Sequence, residues 1–171
     1  CLARSVAIAV GDARGPLLER IVADAERRPV GSGLDDAVAM GPVISEASRQ
    51  RTLALIETGV QEGASLAAGG GPAAVAGHED GYFVQPTVLD GVAPDGTLAR
   101  TEVFGPVLSV MAADSIDEAI RLANDRAFGN QACLFTSSGA AARAFRHQVR
   151  AGNVGINLGV AAPMAFFPFS G

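Results

Sequence analysis

The sequence predicts an α/β fold built on an open, mostly parallel sheet with helices on both faces, and three observations lead to it. Short β-branched or apolar runs alternate along the chain with segments whose apolar residues recur at helical spacing. The last alternation is strand, helix, strand with short connections, the pattern in which a helix carries the chain between parallel neighbours. Finally, 171 residues of which 49% are hydrophobic amount to about one domain and can supply a substantial core.

The elements follow in order. Ser5 to Val10 (SVAIAV) has a β-branched strand pattern, and Leu17, Leu18, Ile21, Val22 and Ala25 then recur as one face of a helix. Asp35 to Ile44 is a loop containing MGPVIS. Ser45 can cap a second helix, in which Leu53, Ile56 and Val60 fall at i, i+3 and i+7. EGASLAAGGG ends that unit. Its Gly69 to Gly71 run looks like a phosphate cradle, but it follows a short strand, and neither a lysine nor a helix start comes after it; it reads as a turn with no ligand. Gly81 to Leu89 (GYFVQPTVL) is extended, with Pro86 confining it to an edge or a bend. RTEVFGPVLSV, residues 100 to 110, supplies the next strand. Ser115 to Arg126 is the clearest helix: Ser115 and Glu118 form a capping box, Ile116, Ala119, Ile120 and Ala123 share a face, and Phe128-Gly129 ends it. Gln131 to Thr136, Ala140 to Val149 and Val154 to Leu158 are the closing strand, helix and strand. No repeat, low-complexity tract or linker divides the chain, so residues 1–171 read as one α/β layer.

Charge and composition remove several function classes. Thirteen basic residues, all arginine, against 18 acidic ones leave a net charge of −5, which argues against nucleic acid or anionic lipid as a partner. No apolar stretch reaches the roughly 18 to 20 residues that span a bilayer, and no basic n-region leads into an apolar h-region at the N-terminus. The reading is a soluble, cytoplasmic protein. His78 and His147 have no second histidine or cysteine at ligand spacing, so no metal site is expected. G-x-S-x-G is absent, and no G-x-G-x-x-G opens a helix after a strand. Cys133, inside the apolar run QACLFT, reads as a small buried thiol. Cys1 is the remaining nucleophile, and as a thiolate it is suited to covalent capture of a carbonyl. One carboxylate, Glu102, stands at the mouth of the 100 to 110 strand beside Phe104, and Gly105-Pro106 breaks the run behind them.

Taken together, CLARSVAIAV, MGPVIS, GYFVQPTVL, TEVFGPVLSV, IDEAIRLANDRAFGNQACLFTS and AGNVGIN stand in an order and spacing that resembles the aldehyde dehydrogenase superfamily over essentially the whole chain. Within it, the segment after Cys1 and the tail APMAFFPFSG are most similar to the CoA-acylating methylmalonate semialdehyde dehydrogenase branch. The resemblance implies roles residue by residue. Cys1 matches the nucleophile that adds to the aldehyde and holds the acyl group as a thioester until coenzyme A takes it. Glu102, in E-x-F-G-P, matches the acid that accepts hydrogen bonds from the hydroxyls of the nicotinamide ribose of NAD, and Phe104 the ring packed beside that ribose. The family often has a second acid before that glutamate; here it is Thr101. Gly105-Pro106 would let the backbone turn close beneath the carboxylate. Phe169 matches a loop lining the aldehyde pocket, although for Phe166, Phe167 and Phe169 core packing is an equal alternative.

The same resemblance implies a small-molecule aldehyde substrate, and a homotetramer or homodimer for the full-length protein. It also implies that the chain is the latter part of a catalytic domain. The dinucleotide-binding domain, the oxyanion asparagine and a C-terminal oligomerisation strand would then lie outside it, and the chain alone would not turn over. Three other readings use the same residues: a hydrolytic aldehyde dehydrogenase that releases a free acid; an N-terminal cysteine hydrolase, disfavoured by the strand–helix alternation; and a non-catalytic α/β piece that associates through apolar surface.

Overall fold

A computed structural model describes residues 3–127, 129–162 and 166. The chain gathers into two compact units: a larger one, Ser5–Ala112, and a smaller one formed by the described residues of Cys1–Arg4 and Ala113–Gly171.

The larger unit is a four-stranded sheet with a helix against each face. Its strands are β1 (Val6–Val10), β2 (Ser65–Ala68), β3 (Thr87–Asp90) and β4 (Val107–Ala113), in the spatial order β1-β4-β3-β2. β3 and β4 run parallel with Thr87 opposite Val107, whereas β2 pairs antiparallel to β3 with a register irregularity between Leu66 and Ala68. Alternation along β3 distributes the core to both sides. Val88, with Val110 and Ala68, packs against Leu18, Ile21, Val22 and Ala25 of helix α1 (Arg14–Arg27). Leu89 faces the other way, toward Gly59 of helix α2 (Glu46–Gln61).

Both helices sit slightly turned from the faces that hydropathy predicts. Leu17 is 37% exposed, so the apolar stripe of α1 runs through Leu18 and its neighbours. In α2 the buried residues are Thr52, Ile56 and Gly59, while Val60 is exposed. Gly59 is there because the helix passes so near helix α3 (Thr97–Arg100) that a Cβ would lie 2.2 Å from Leu98 Cδ1. α3 itself is not apparent from the sequence. The Glu62 carboxylate caps it, accepting hydrogen bonds from the Thr97 N–H (2.7 Å) and the Thr97 hydroxyl.

Ser45 caps α2 as expected, its Oγ accepting from the Ser48 N–H at 3.1 Å. In the first turn of that helix the Arg49 guanidinium beside Glu46 holds its carboxyl below the ordinary value of 4.5. Because the folded-state value is the depressed one, the associated stabilisation is present above pH 4.5 and is lost as pH falls through the folded value. Amide exchange at residues 46–49, corrected for its intrinsic pH dependence, should therefore lose protection below about pH 4.5, and Glu46→Gln should abolish that step.

The Gly69 to Gly71 run is a turn whose donors are used internally. The Gly70 N–H donates to Thr87 Oγ1 at 3.0 Å and the Gly71 N–H to Gln85 Oε1 at 3.2 Å. The segment from residue 100 to 110 is a strand only from Val107 onward; Arg100 closes α3, and Thr101 to Pro106 form an irregular loop.

In the smaller unit, helix α4 (Ile116–Asn124), strand β5 (Gln131–Leu134), helix α5 (Gly139–Gln148) and strand β6 (Asn153–Ile156) make the predicted strand–helix–strand step after α4. β5 and β6 pair in parallel, Gln131 opposite Asn153 through Leu134 opposite Ile156. Ser115 Oγ accepts from the Glu118 N–H at 3.2 Å, and the Glu118 carboxylate reaches back to the Asp114 N–H at 2.8 Å, a capping box displaced by one residue. α4 stops at Asn124, short of Phe128, which lies outside the described residues. Asn124 then ties the ends of the two helices together: its Nδ2 donates to the Gln148 carbonyl (2.8 Å) and its Oδ1 accepts from the Arg150 N–H (2.6 Å). Both strands are shorter than predicted, because Thr136 pairs with a side chain instead of with backbone. Asn157, at φ 53°, accepts from the Thr136 N–H through Oδ1 (2.8 Å) and donates from Nδ2 to the Thr136 carbonyl (2.9 Å).

Candidate active site

Cys1, Phe167 and Phe169 lie outside the described residues, and Phe166 is 88% exposed instead of packed in a core. Glu102 and Phe104 are both described, and both belong to the loop that leads from α3 to β4. An alternation sets their presentation. Glu102 is exposed, Val103 is buried to 2% exposure, and Phe104 is 67% exposed. Val103 thus anchors the loop to the core and leaves the carboxylate and the ring on the accessible side. Among the described residues no hydrogen bond or ion pair occupies the Glu102 carboxylate. Its acceptor sites are available to an incoming donor.

The backbone here departs from the expected arrangement at one point. The left-handed conformation needed for the turn falls on Phe104, φ 53°, and Gly105 has no positive φ. A bulky residue in that region is an outlier that costs of order 1–3 kcal/mol and persists only where its surroundings hold it there. Three contacts do so. Val103 is embedded on one side. On the other, the Gly105 carbonyl accepts from the Val107 N–H (2.8 Å), closing a three-residue turn around Pro106, whose fixed φ suits its centre. The Pro106 carbonyl in turn accepts from the Thr87 N–H (2.8 Å), which fastens the turn to β3.

Gly105 has a different task from the one its sequence context suggests. A Cβ built on it would lie 2.7 Å from Thr52 Oγ1 and 2.9 Å from Thr52 Cγ2, and Thr52 is fully buried. Glycine is required by the closeness of α2 beneath the loop. Thr52 was invisible to sequence reasoning because its hydroxyl removes it from a hydropathy count; its place at i−4 from Ile56 and i−7 from Gly59 was the available signal.

Elsewhere, Cys133 is half-buried with its Sγ against Gly155, in keeping with a packed thiol. A shallow cleft of about 370 Å³ in the smaller unit is lined by Asn124, Arg126, Arg150 and small residues, and it contains neither a carboxylate nor a thiol. Among the described residues no group of three or more His, Cys, Asp or Glu side chains could hold a metal ion, and no helix is long and apolar enough to cross a membrane.

Comparison with known proteins bears on this loop and on the rest of the chain. The model of the aldehyde dehydrogenase family matches residues 1–171. Malonate-semialdehyde dehydrogenase 1 of Geobacillus thermodenitrificans is 50% identical over 172 residues, a match covering all of this chain and 35% of the relative. The crystal structure of methylmalonate-semialdehyde dehydrogenase from Oceanimonas doudoroffii superposes with a TM-score of 0.93 at 37% identity, over 99% of this chain and 35% of that one. A second structure, solved with NAD and assigned to methylmalonate-semialdehyde dehydrogenase from Sinorhizobium meliloti 1021, gives a TM-score of 0.95 at 35% identity with the same coverage. The chain therefore spans about 35% of the length of the relatives it matches.

Proposed function

Because the chain belongs to the aldehyde dehydrogenase family, an oxidoreductase family, we propose that it is part of an enzyme that oxidises malonate or methylmalonate semialdehyde with NAD and passes the acyl group to coenzyme A. The observation that carries the reading is the Glu102–Pro106 loop, which holds an unengaged carboxylate and an exposed aromatic ring side by side at the cost of a left-handed Phe104. The names of the most similar relatives support the substrate class.

The loop fits the ribose half of a dinucleotide. A ribose diol offers two donors, and Glu102 offers a carboxylate free to accept both. The exposed Phe104 ring gives the sugar an apolar wall. NAD, when bound, supplies the acceptor for the hydride that leaves the substrate carbon.

Cys1 carries the covalent chemistry in this reading. Its thiolate adds to the aldehyde carbonyl and forms a carbon–sulfur bond. Departure of the aldehydic hydrogen as hydride oxidises that carbon to a thioester. A coenzyme A thiolate then attacks the acyl carbon, and the Cys1 thiolate leaves, so the enzyme returns to its starting state. Phe169 is proposed to line the aldehyde pocket. The full-length protein is proposed to be a homodimer or homotetramer, and Leu34 (97% exposed) and Ile44 (90% exposed) in the larger unit are apolar side chains that further protein surface would cover.

The test is NADH formation by the complete gene product from malonate and methylmalonate semialdehydes, with and without coenzyme A. Sustained turnover that requires coenzyme A is the expected result. Equal turnover without it would assign the protein to the hydrolytic branch, and no NADH under either condition would remove the oxidoreductase reading.

A further inference from the structure

Thr52 is fully buried in α2, yet its Oγ1 has no hydrogen-bond partner among the described residues. A helical threonine ordinarily satisfies its hydroxyl on the preceding turn, and a buried hydroxyl left alone destabilises the fold. Valine, nearly the same shape, would avoid that cost. The position of the side chain bears on it: both γ atoms of Thr52 face the loop, Oγ1 at 2.7 Å and Cγ2 at 2.9 Å from where a Gly105 Cβ would stand. An oxygen tolerates a Cα–H at C···O distances of about 3.3–3.6 Å, while a methyl carbon sits best at about 3.5–4.0 Å. A second methyl in place of the oxygen, as in valine, would crowd Gly105 by a few tenths of an ångström more than the hydroxyl does.

We propose that Thr52 is a positioning residue for the dinucleotide: by setting the depth of Gly105 it holds Phe104 in the left-handed conformation and fixes where its ring meets the ribose beside Glu102. This rests on the reading of those two residues as the ribose contact. Depth matters because Gly105 adjoins Phe104 directly. With Val103 embedded and the Gly105 and Pro106 carbonyls engaged, an outward push on Gly105 is absorbed at the strained φ of Phe104. The ring then moves relative to the carboxylate, which stays in place on the other side of the embedded Val103. Thr52 touches no reacting atom. It acts only through the loop.

The experiment compares Thr52→Val, Thr52→Ser and Glu102→Ala with the parent complete gene product, reading KM for NAD, kcat, the Kd of NADH by fluorescence titration, and Tm. A ring displaced from the ribose should raise KM for NAD and the Kd of NADH severalfold in Thr52→Val. kcat should stay near the parent value, and Tm should equal or exceed it because an unsatisfied hydroxyl has been removed. Thr52→Ser keeps the oxygen and should retain parental KM and Kd. If Glu102→Ala weakens NAD binding but Thr52→Val does not, the ribose contact stands and the positioning role is overturned. If Thr52→Val lowers Tm and kcat together with affinity, or Thr52→Ser fails to retain affinity, the residue is only structural and the proposal again falls. If Glu102→Ala leaves both constants unchanged, the ribose reading fails and takes the proposal with it.

Discussion

Replacement of Cys1 by alanine in the complete gene product should lower NADH formation by at least about 10⁴-fold, since a nucleophile whose covalent intermediate carries the acyl group cannot be bypassed by the groups that remain. The loss should appear in kcat, with the Kd of NADH little changed, because the proposed ribose contacts, Glu102 and Phe104, are untouched. Cys1→Ser, which retains a far weaker nucleophile, should also be severely impaired. The check is a single-turnover assay with acid quench. The parent should accumulate a thioester detectable by mass at Cys1 when coenzyme A is withheld, and the alanine protein should show no such adduct. An alanine protein that turns over at the parental rate would remove Cys1 from the mechanism. The complete product is the right material, because an N-terminal cysteine condenses with aldehydes and would obscure a thiol assay on this chain alone.

The second large effect belongs to Gly105. In Gly105→Ala the new methyl would stand 2.7 Å from Thr52 Oγ1 and 2.9 Å from its Cγ2, closer than a Cβ sits in folded proteins, against a fully buried threonine. Overpacking of this kind costs about 1–3 kcal/mol. Here the loop can relieve it by lifting off α2. Both stability and NAD affinity should therefore fall, and the double variant with Thr52→Ala should recover much of each, because only the residue-52 Cβ then remains at 3.4 Å. A double-mutant cycle by thermal unfolding and NADH titration measures this, with a favourable coupling of about 1 kcal/mol or more expected. Simple addition of the two losses would mean that the pair does not touch in the way the geometry requires.

What could be read from the sequence was whatever is decided locally. Ser45 and Ser115 cap their helices through bonds to N–H groups three residues on, and both were legible for that reason. The parallel pairing of β5 with β6 followed from their short connections through α5. Contacts made across long separations were not legible. α3 depends on a carboxylate 35 residues earlier, Glu62, so its four residues carry no helical signal of their own. The buried face of α2 runs through Thr52 and Gly59, and hydropathy marks neither as core. The apolar stretch from residue 100 to 110 misled because Val103 and Phe104 resemble strand residues, whereas one is an anchor and the other an exposed ring on a bent backbone. Of the proposed site, Glu102 and Phe104 were chosen by resemblance to a family motif, and both are exposed on one loop. Cys1 and Phe169 rest on the resemblance and lie outside the described residues.

Asn157 carries a consequence of another kind. Its amide stands in for a peptide group, giving Thr136 both a donor and an acceptor while its own backbone turns left-handed. Aspartate would offer oxygen without the N–H, glycine would offer the turn without either group, glutamine is a methylene too long, and β-branched residues resist the φ. Each of these replacements thus fails on at least one count. A library randomised at this codon and selected for folded protein should be strongly enriched in asparagine.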